Sequence, residues 1–149
     1  MNFKAYVAGS ISHLTAKQIY EKFNPIISQL KSYDYVVLHP LIFGEEINIK
    51  SSAKIKPTGY DPSGKITKRC KWMVEQCDIL FADLTKAKKI SIGTMFEIAW
   101  AKIWNKNIII IMEKNNIHQH LFVQESATEI FETLEEGFAY LRKFSKIFN

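Results

Sequence analysis

The sequence predicts a single α/β domain over residues 1–149: a doubly wound, Rossmann-like or flavodoxin-like parallel sheet of about five strands with helices on both faces. Short apolar strands alternate with segments of helical periodicity, which is typical of βαβ units and a parallel sheet. The run Asn107–Met112 contains four consecutive isoleucines, Ile108–Ile111, and this β-branched apolar stretch suits a strand buried on both faces. The length of 149 residues fits one domain.

The first half of the chain alternates strand and helix. A strand is predicted at Lys4–Ala8, and apolar residues then follow helical spacing over about 14–30. Pro25 interrupts this pattern, which allows either a kink or two shorter helices. A second strand is predicted at Tyr35–Leu38, and a proline follows it.

Residues 43–64 are irregular in pattern. They are rich in glycine, proline and serine and have few periodic apolar positions. A loop of this length in a compact domain usually has a function. We therefore expect a flap over a binding site, with disorder as the alternative.

The second half continues the alternation. The pattern predicts a helix at Ile66–Gln76, a strand at Ile79–Ala82, a helix at Gly93–Trp104 and the Asn107–Met112 strand. Thr133–Glu136 resembles a capping box that begins a final amphipathic helix.

Composition restricts the classes of function. The net charge is +5, but the lysines are scattered rather than clustered, so we expect no nucleic-acid polymer as a partner. No apolar run reaches the roughly 18 residues that span a membrane, and the N-terminal pattern is not that of a secretory signal. We therefore expect a cytoplasmic protein that does not bind membranes.

We expect no metal and no cofactor. Cys70 and Cys77 are seven residues apart, which matches no zinc signature, and on a helix they lie beyond disulfide reach. They are expected to be reduced thiols on a helix. His118 and His120 lack a third ligand at recognisable spacing, and neither a P-loop nor a GxGxxG motif is present.

Small or polar residues follow two of the predicted strands. Gly9 and Ser10 follow the first, Asp83 ends the third, and the segment Ser91–Glu97 comes after it. Because ligands of open α/β sheets bind at the carboxyl ends of the strands, we expect these residues to meet at one site. Gly93 permits close backbone approach, and free N–H groups at the start of a helix hold anions.

Glu97 has two interpretations from the residues alone. Thr94-x-x-Glu97 matches a capping box, in which the glutamate bonds only to a backbone N–H. Alternatively, Glu97 lies among apolar neighbours, where burial makes a carboxylate reactive or requires a partner. Carboxylates of this kind act as nucleophiles toward an anomeric carbon in retaining glycosidases.

The order of four motifs gives the chain a resemblance to a known family. The motifs are Tyr6–Ser10, Arg69–Leu84, Ser91–Ala101 and the strand at Ile108–Ile111. Together they resemble the nucleoside 2-deoxyribosyltransferases and the related nucleoside 5′-monophosphate N-glycosidases. The resemblance covers about residues 4–112.

The resemblance implies a mechanism. Glu97 is expected to attack C1′ of a (deoxy)nucleoside, and Tyr6 to orient it. Asp83 is expected close to the sugar. From the residues alone, Tyr6 as a core aromatic and Asp83 as a turn cap remain alternatives. Small polar groups are expected to bind the substrate: Gly9, Ser10, Ser91, Gly93, Thr94, Asn116 and His118.

The resemblance also bears on the roles of Cys70, Ser91, Asn116 and His118. Cys70 stands where the family usually has a catalytic aspartate, and a thiol is a weak substitute unless Asp61 of the flap replaces it. Ser91 stands where the transferases often have an aspartate and the monophosphate hydrolases a serine, and a hydroxyl there favours a 5′-phosphate. Asn116 or His118 is expected to reach the site of a neighbouring subunit.

The resulting functional prediction is an enzyme that cleaves an N-glycosidic bond through a covalent glycosyl-Glu97 intermediate and transfers the deoxyribosyl group to another base. The alternatives are hydrolysis of nucleoside 5′-monophosphates and a nucleotide-binding or sensing module impaired by Cys70. Trp72 or Phe96 is expected to help enclose the base, although Trp72 and Trp100 are more typical of a core. The resemblance also implies a homodimer or higher oligomer with shared active sites.

Overall fold

The computed structural model describes residues 2–11, 14–40 and 65–148, and within these ranges it shows one parallel sheet covered by helices on both faces. The strand order is β2-β1-β3-β4-β5, and every neighbouring pair is parallel. The predicted class is therefore confirmed. The elements in chain order are β1 (Lys4–Gly9), α1 (Ala16–Lys31), β2 (Val36–Leu38), α2 (Lys65–Gln76), β3 (Ile79–Asp83), α3 (Ile92–Ile103), β4 (Asn107–Ile111), α4 (Leu121–Ser126), β5 (Glu129–Phe131) and α5 (Leu134–Phe148).

The two faces of the sheet have separate apolar cores. Side chains alternate along each strand. Tyr6 and Leu80 pack with α2 and α3 on one face, whereas Val7 and Phe81 pack with α1 and α5 on the other. Burial on both faces explains why the buried part of β4 consists of four consecutive isoleucines, Ile108–Ile111.

Helix α1 continues through Pro25 as a single element. A proline inside a helix removes one backbone hydrogen bond and costs about 3 kcal/mol. Pro25 lies on the exposed side, while Ile19, Phe23 and Leu30 are buried on the other side. The burial of these side chains offsets the cost, because each contributes about 2 kcal/mol.

The sequence patterns did not locate α4 and β5. Strand β5 has three residues, two of them exposed, so it carries no apolar alternation. Helix α4 has six residues and begins at a cap provided by the His120 side chain, which accepts a hydrogen bond from the Phe122 N–H. Elements this short depend on tertiary contacts more than on local propensity.

The capping box before α5 is confirmed. The Thr133 hydroxyl accepts a hydrogen bond from the Glu136 N–H at 3.3 Å, and the Glu136 carboxylate accepts one from the Thr133 N–H at 3.1 Å. Both partners therefore satisfy free backbone groups at the helix start.

Cys70 and Cys77 are both buried, and no disulfide joins them. Cys70 lies on α2, but Cys77 follows the end of that helix at Gln76, so the expectation that one helix carries both is wrong. The predicted flap at 43–64, including Asp61, lies outside the described residues. Within the described ranges, no helix has both the length and the apolar character to cross a membrane.

Candidate active site

The strand order places a crevice between the carboxyl ends of β1 and β3. Strand β2 lies on one side of β1 and strand β3 on the other. The connection that follows β1 therefore runs to one side, and the connection that follows β3 runs to the other. Gly9 pairs with Asp83 at the ends of these two strands. Ligands of doubly wound sheets bind at such a switch point.

Glu97 and Tyr6 form the centre of the crevice. Tyr6 lies on β1 and Glu97 in the second turn of α3, and the tyrosine hydroxyl donates a hydrogen bond of 2.6 Å to Glu97 Oε1. Glu97 is only 7% exposed. The structure thus joins two of the sequence-predicted residues across 91 positions of the chain.

Burial changes the ionisation of both groups. It raises the pKa of Glu97 to about 7, and the hydrogen bond from Tyr6 acts in the opposite direction by favouring the carboxylate. The pKa of Tyr6 lies well above its ordinary value, chiefly because of burial, and neighbouring Glu97 and Cys70 raise it further. Tyr6 therefore stays protonated and acts as a donor.

The capping-box interpretation of Glu97 is not what the structure shows. Ser91 is the N-cap of α3, and its hydroxyl accepts a hydrogen bond from the Thr94 N–H at 3.4 Å. The Thr94 hydroxyl lies 2.9 Å from the Ser91 hydroxyl. Since Thr94 is inside the helix and Glu97 is paired with Tyr6, the carboxylate is not occupied by a cap.

A pocket of about 330 Å³ opens beside Glu97. It lies between the end of β1, the first half of α2 and the first half of α3. A Cβ built on Gly93 would meet no atom within 4 Å, so the helix start is open to an approaching ligand. Ser10 follows Gly9 at the strand end and is partly buried. The predicted residues that line the pocket are Gly9, Cys70, Ser91, Gly93, Thr94, Phe96 and Glu97.

Aromatic side chains form one wall of this pocket. Phe96 and Trp100 both line it, and their ring centroids are 5.8 Å apart in an edge-to-face arrangement. Trp100 was expected in the core, and it packs against the core on the α2–α3 face while its spacing of four residues from Phe96 also brings it to the pocket. Trp72 was also expected in the core and is instead 54% exposed.

Cys70 lies on α2 in the wall of the pocket and is 8% exposed. It is near enough to Tyr6 to affect the pKa of the phenol. The position that the family resemblance gives to an aspartate is thus beside the Tyr6–Glu97 pair.

Asp83 does not contact the pocket. Ile79 and Phe81, four and two residues before it, face the α1–α5 side, and strand alternation directs Asp83 to the same side. Its Oδ1 atom accepts hydrogen bonds from the Thr85 N–H at 3.0 Å and the Thr85 hydroxyl at 2.6 Å. This geometry corresponds to the turn-cap alternative rather than to a sugar contact.

Asn116 and His118 lie near the site but are turned toward their own chain. His118 Nε2 accepts a hydrogen bond from the Ser91 N–H at 2.9 Å, and the Asn116 amide donates to the Leu84 carbonyl at 2.7 Å. Both side chains are buried. Their polar atoms thus bind the two ends of the β3–α3 loop in the same chain.

Sequence reasoning missed further contributors to the site. Ile11, Pro40, Ile66 and Thr67 also line the pocket. Ile66 and Thr67 precede Cys70 by one turn of α2, and this helical spacing was the available signal. Among residues 2–11, 14–40 and 65–148, no group of three or more His, Cys, Asp or Glu side chains has the proximity needed to hold a metal ion.

Comparison with solved structures shows the same fold in nucleoside-processing enzymes. A 2-deoxyribosyltransferase from Bacillus psychrosaccharolyticus has a TM-score of 0.66 at 17% identity, covering 93% of this chain and 95% of that chain. The enzyme from Leishmania mexicana has a TM-score of 0.65 at 21% identity, covering 95% and 97%. A Clostridium botulinum CMP N-glycosidase has a TM-score of 0.59 at 18% identity, covering 95% and 98%.

Sequence comparison identifies the family. No curated protein sequence matches the chain. The family model described as nucleoside 2-deoxyribosyltransferase matches residues 5–138, a segment that contains both Tyr6 and Glu97. This match covers most of the chain and confirms the resemblance inferred from its motifs. The chain therefore belongs to the nucleoside 2-deoxyribosyltransferase family of enzymes.

Proposed function

We propose that this enzyme cleaves the N-glycosidic bond of a nucleoside by double displacement, with Glu97 as the nucleophile and a second base as the acceptor. The observation that carries the proposal is the buried Glu97 carboxylate, which accepts a 2.6 Å hydrogen bond from Tyr6 and borders an open pocket. A positioned carboxylate can form and release a covalent glycosyl intermediate.

The first step forms a bond between Glu97 Oε2 and C1′ of the sugar. The C1′–N bond breaks at the same time, and its electron pair leaves with the base, which takes up a proton. Tyr6 binds Oε1, so it fixes the carboxylate and leaves Oε2 for the attack. In the second step, a nitrogen of the incoming base bonds to C1′, loses its proton, and releases the Glu97 carboxylate.

The ionisation of Glu97 sets the pH range of this reaction. The nucleophile must be deprotonated, and burial raises its pKa to about 7. A carboxyl with this pKa is protonated in part of the enzyme at neutral pH, and the reactive fraction grows as the pH rises. The Tyr6 hydroxyl donates to the anion, and we infer that it keeps the reactive fraction from being smaller still.

The aromatic wall gives a place for the base. Phe96 is 56% exposed and stands edge-to-face against Trp100 at the pocket. An aromatic face of this kind stacks a planar heterocycle by offset or edge contacts, with an energy of about 1 kcal/mol beyond burial. We infer that the base lies against these two rings when C1′ is beside Glu97.

A second candidate function is hydrolysis of a nucleoside 5′-monophosphate, as in the fold-related CMP N-glycosidase. The observation that favours it is the start of α3, where the first turn contains no acidic residue and the cap is the neutral Ser91. Ser91 and Thr94 share one hydrogen bond between two hydroxyl groups, so one hydroxyl proton remains for a ligand. The space at Gly93 is also open, so the N-terminal end of α3 can bind an anion such as a phosphate group.

The decisive experiment incubates the purified enzyme with 2′-deoxynucleosides or their 5′-monophosphates, with and without a second free base. A new nucleoside indicates transfer, and free base without exchange indicates hydrolysis. Nucleotide binding without either product would support the impaired sensing module. Intact-protein mass spectrometry of the quenched reaction measures the glycosyl adduct directly.

Two variants test the nucleophile. Glu97→Ala is expected to abolish both turnover and the adduct, whereas Glu75→Gln is the matched control because Glu75 is an exposed glutamate on neighbouring α2. Full activity in Glu97→Ala would refute the assignment of the nucleophile.

We also propose that the enzyme is a homo-oligomer. Several large apolar side chains are exposed along one side of α3 and α4, a surface called here the α3–α4 face. Contiguous exposed apolar surface usually marks an interaction site, and the family resemblance favours a second copy of the chain as its occupant. The α3–α4 face consists of Ile90, Ile103, Ile117 and Phe122, which are exposed and line one cavity.

A further inference from the structure

The loop between β4 and α4 holds the loop between β3 and α3 through side chains. Asn116 Nδ2 donates to the Leu84 carbonyl at 2.7 Å, and His118 Nε2 accepts from the Ser91 N–H at 2.9 Å. Glu113 is connected to both contacts, because its Oε2 accepts from Asn116 Nδ2 at 2.7 Å. We call Glu113, Asn116 and His118 the loop clamp.

A third contact of the loop clamp lies between these two. Glu113 Oε1 accepts a hydrogen bond from the Lys86 N–H at 2.7 Å. Lys86 has a φ of 55°, the left-handed region that is uncommon for a residue with a side chain. The loop clamp therefore binds the backbone near the beginning of the β3–α3 loop and again at its end, where α3 begins.

The chemistry of the partners fixes the direction of every hydrogen bond in the clamp. The Leu84 carbonyl and the Glu113 carboxylate only accept, so the Asn116 NH₂ group must face them. Asn116 Oδ1 then faces His118 and lies 2.9 Å from Nδ1. Nδ1 must carry the proton, which leaves Nε2 with a lone pair for the Ser91 N–H.

The inner part of this network is shielded from water. His118 is 2% exposed, Ser91 7% and Asn116 8%. A buried backbone N–H that loses its acceptor costs about 1–3 kcal/mol. Since water has little access to Ser91, the His118 ring is the group that satisfies this N–H.

We propose that His118 is a positioning residue: its neutral imidazole, held as the Nδ1–H tautomer by Asn116, fixes Ser91 and thereby the helix start that sets Glu97 against Tyr6. Ser91 caps α3 and bonds to Thr94, and Glu97 follows Thr94 by one helical turn. A shift of Ser91 is therefore transmitted to the nucleophile through a rigid element. The consequence for turnover rests on the proposed function, whereas the consequence for Ser91 does not.

Protonation of His118 would place an N–H against the Ser91 N–H and remove the acceptor. Burial lowers the pKa of His118, and the positive charge of Lys22 on α1 lowers it further. Both effects keep the ring neutral. Ionisable groups from the surrounding elements lie in contact with His118 or line the same cavity: Glu113 through Asn116, Lys102 on α3, His120 on the adjoining loop and Glu125 on α4.

The direct test measures amide hydrogen exchange of Ser91 by NMR across mildly acidic to mildly basic pH, in wild type, His118→Leu and His118→Gln. Leucine cannot accept a hydrogen bond, while the glutamine carbonyl reaches a similar position and does not titrate. We expect Ser91 protection to be lost at every pH in His118→Leu, retained at every pH in His118→Gln, and lost in wild type only below the pKa of His118. Equal protection of Ser91 in His118→Leu and wild type would overturn the proposal.

Activity provides the second readout. In His118→Leu, kcat is expected to fall by roughly ten- to a hundredfold, as for other small displacements of a catalytic group. His118→Gln is expected to restore most of it. The control is Lys114→Gln, an exposed position on the same loop outside the clamp. If wild type has no turnover, the proposed function fails, yet Ser91 exchange still decides the role of His118.

The proposal remains testable if His118→Leu does not fold. The ¹⁵N chemical shifts of the wild-type ring then report the tautomer at neutral pH. A protonated Nδ1 with an unprotonated Nε2 is the expected result, and the opposite tautomer or a charged ring would refute the proposal.

Discussion

At the residue scale, the pairing of Glu97 with Tyr6 combines a functional requirement with a cost to stability. The carboxyl is almost fully buried, and burial raises its pKa to about 7. Catalysis requires the ionised form, whereas folding favours the neutral form. A catalytic group whose reactive form destabilises the folded protein is a common result of the competition between activity and stability.

The first prediction concerns stability in Glu97→Gln. In the unfolded chain the carboxyl ionises near 4.5, but in the folded protein near 7. Between these values the folded state binds the extra proton, so the wild-type free energy of unfolding falls as pH rises. Glutamine does not ionise. The free energy of unfolding of Glu97→Gln should therefore exceed that of wild type by roughly 3 kcal/mol above about pH 7, and the two values should differ little below about pH 4.5.

Urea unfolding at several pH values measures this difference. The control is again Glu75→Gln, whose exposed side chain should give no pH-dependent gain. A constant difference between Glu97→Gln and wild type at all pH values would contradict the raised pKa.

The second prediction concerns the pH dependence of turnover in Tyr6→Phe. Wild-type kcat/KM should rise with pH and level off above about pH 7, because Glu97 must lose its proton. Phenylalanine removes the hydrogen bond that favours the carboxylate, so the midpoint should move to higher pH. Tyr20→Phe is the control, since Tyr20 is 45% exposed. A midpoint that stays in place or moves to lower pH would exclude this role for Tyr6.

At the element scale, the start of α3 is both a structural cap and a candidate anion site. The third prediction compares Ser91→Ala with Thr15→Ala, which removes the equivalent cap of α1. Each variant should lose about 1 kcal/mol of stability, as for other N-caps. Only Ser91→Ala should also raise KM for a 5′-monophosphate. Equal KM values in the two variants would separate Ser91 from substrate binding.

The elements differ in how far sequence alone predicts them. The strands β1, β3 and β4 and the helix α3 were found because their burial leaves a strong apolar pattern. Strand β5 leaves no such pattern, since two of its three residues are exposed. Pro25 is the opposite case. A proline favours a break in a helix, but α1 continues through it because the buried side of the helix packs on the sheet.

The sequence likewise predicted some features of the candidate site and not others. The pairing of Glu97 with Tyr6 followed from the order of the family motifs, and the direction of Asp83 was available from the alternation that starts at Ile79. The orientation of the Asn116 and His118 side chains could not be predicted from the sequence, because hydrogen bonds to a distant loop determine it. The residues next to Asn116 and His118 in the chain do not indicate which distant groups these side chains will bind.

At the scale of the whole molecule, the exposed α3–α4 face leads to the fourth prediction. Phe122, which is 74% exposed, is expected to be buried against a second copy. Phe122→Lys should therefore shift the enzyme to monomers in analytical ultracentrifugation, because a buried unpaired charge is costly. Ile147→Lys, at an exposed apolar position on α5, should leave the assembly unchanged. A monomeric wild type would rule out this interface.

The separation of Tyr6 and Glu97 by 91 residues also has a consequence for how the enzyme acquires activity. Neither β1 nor α3 can form the pair by local folding, because the hydrogen bond requires β1 to pair with β3 and α3 to dock on the sheet. Contacts of high sequence separation form late, after the entropy of closing long loops has been overcome. Catalytic turnover during refolding therefore reports completion of the long-range topology, whereas helical circular dichroism reports earlier and more local events.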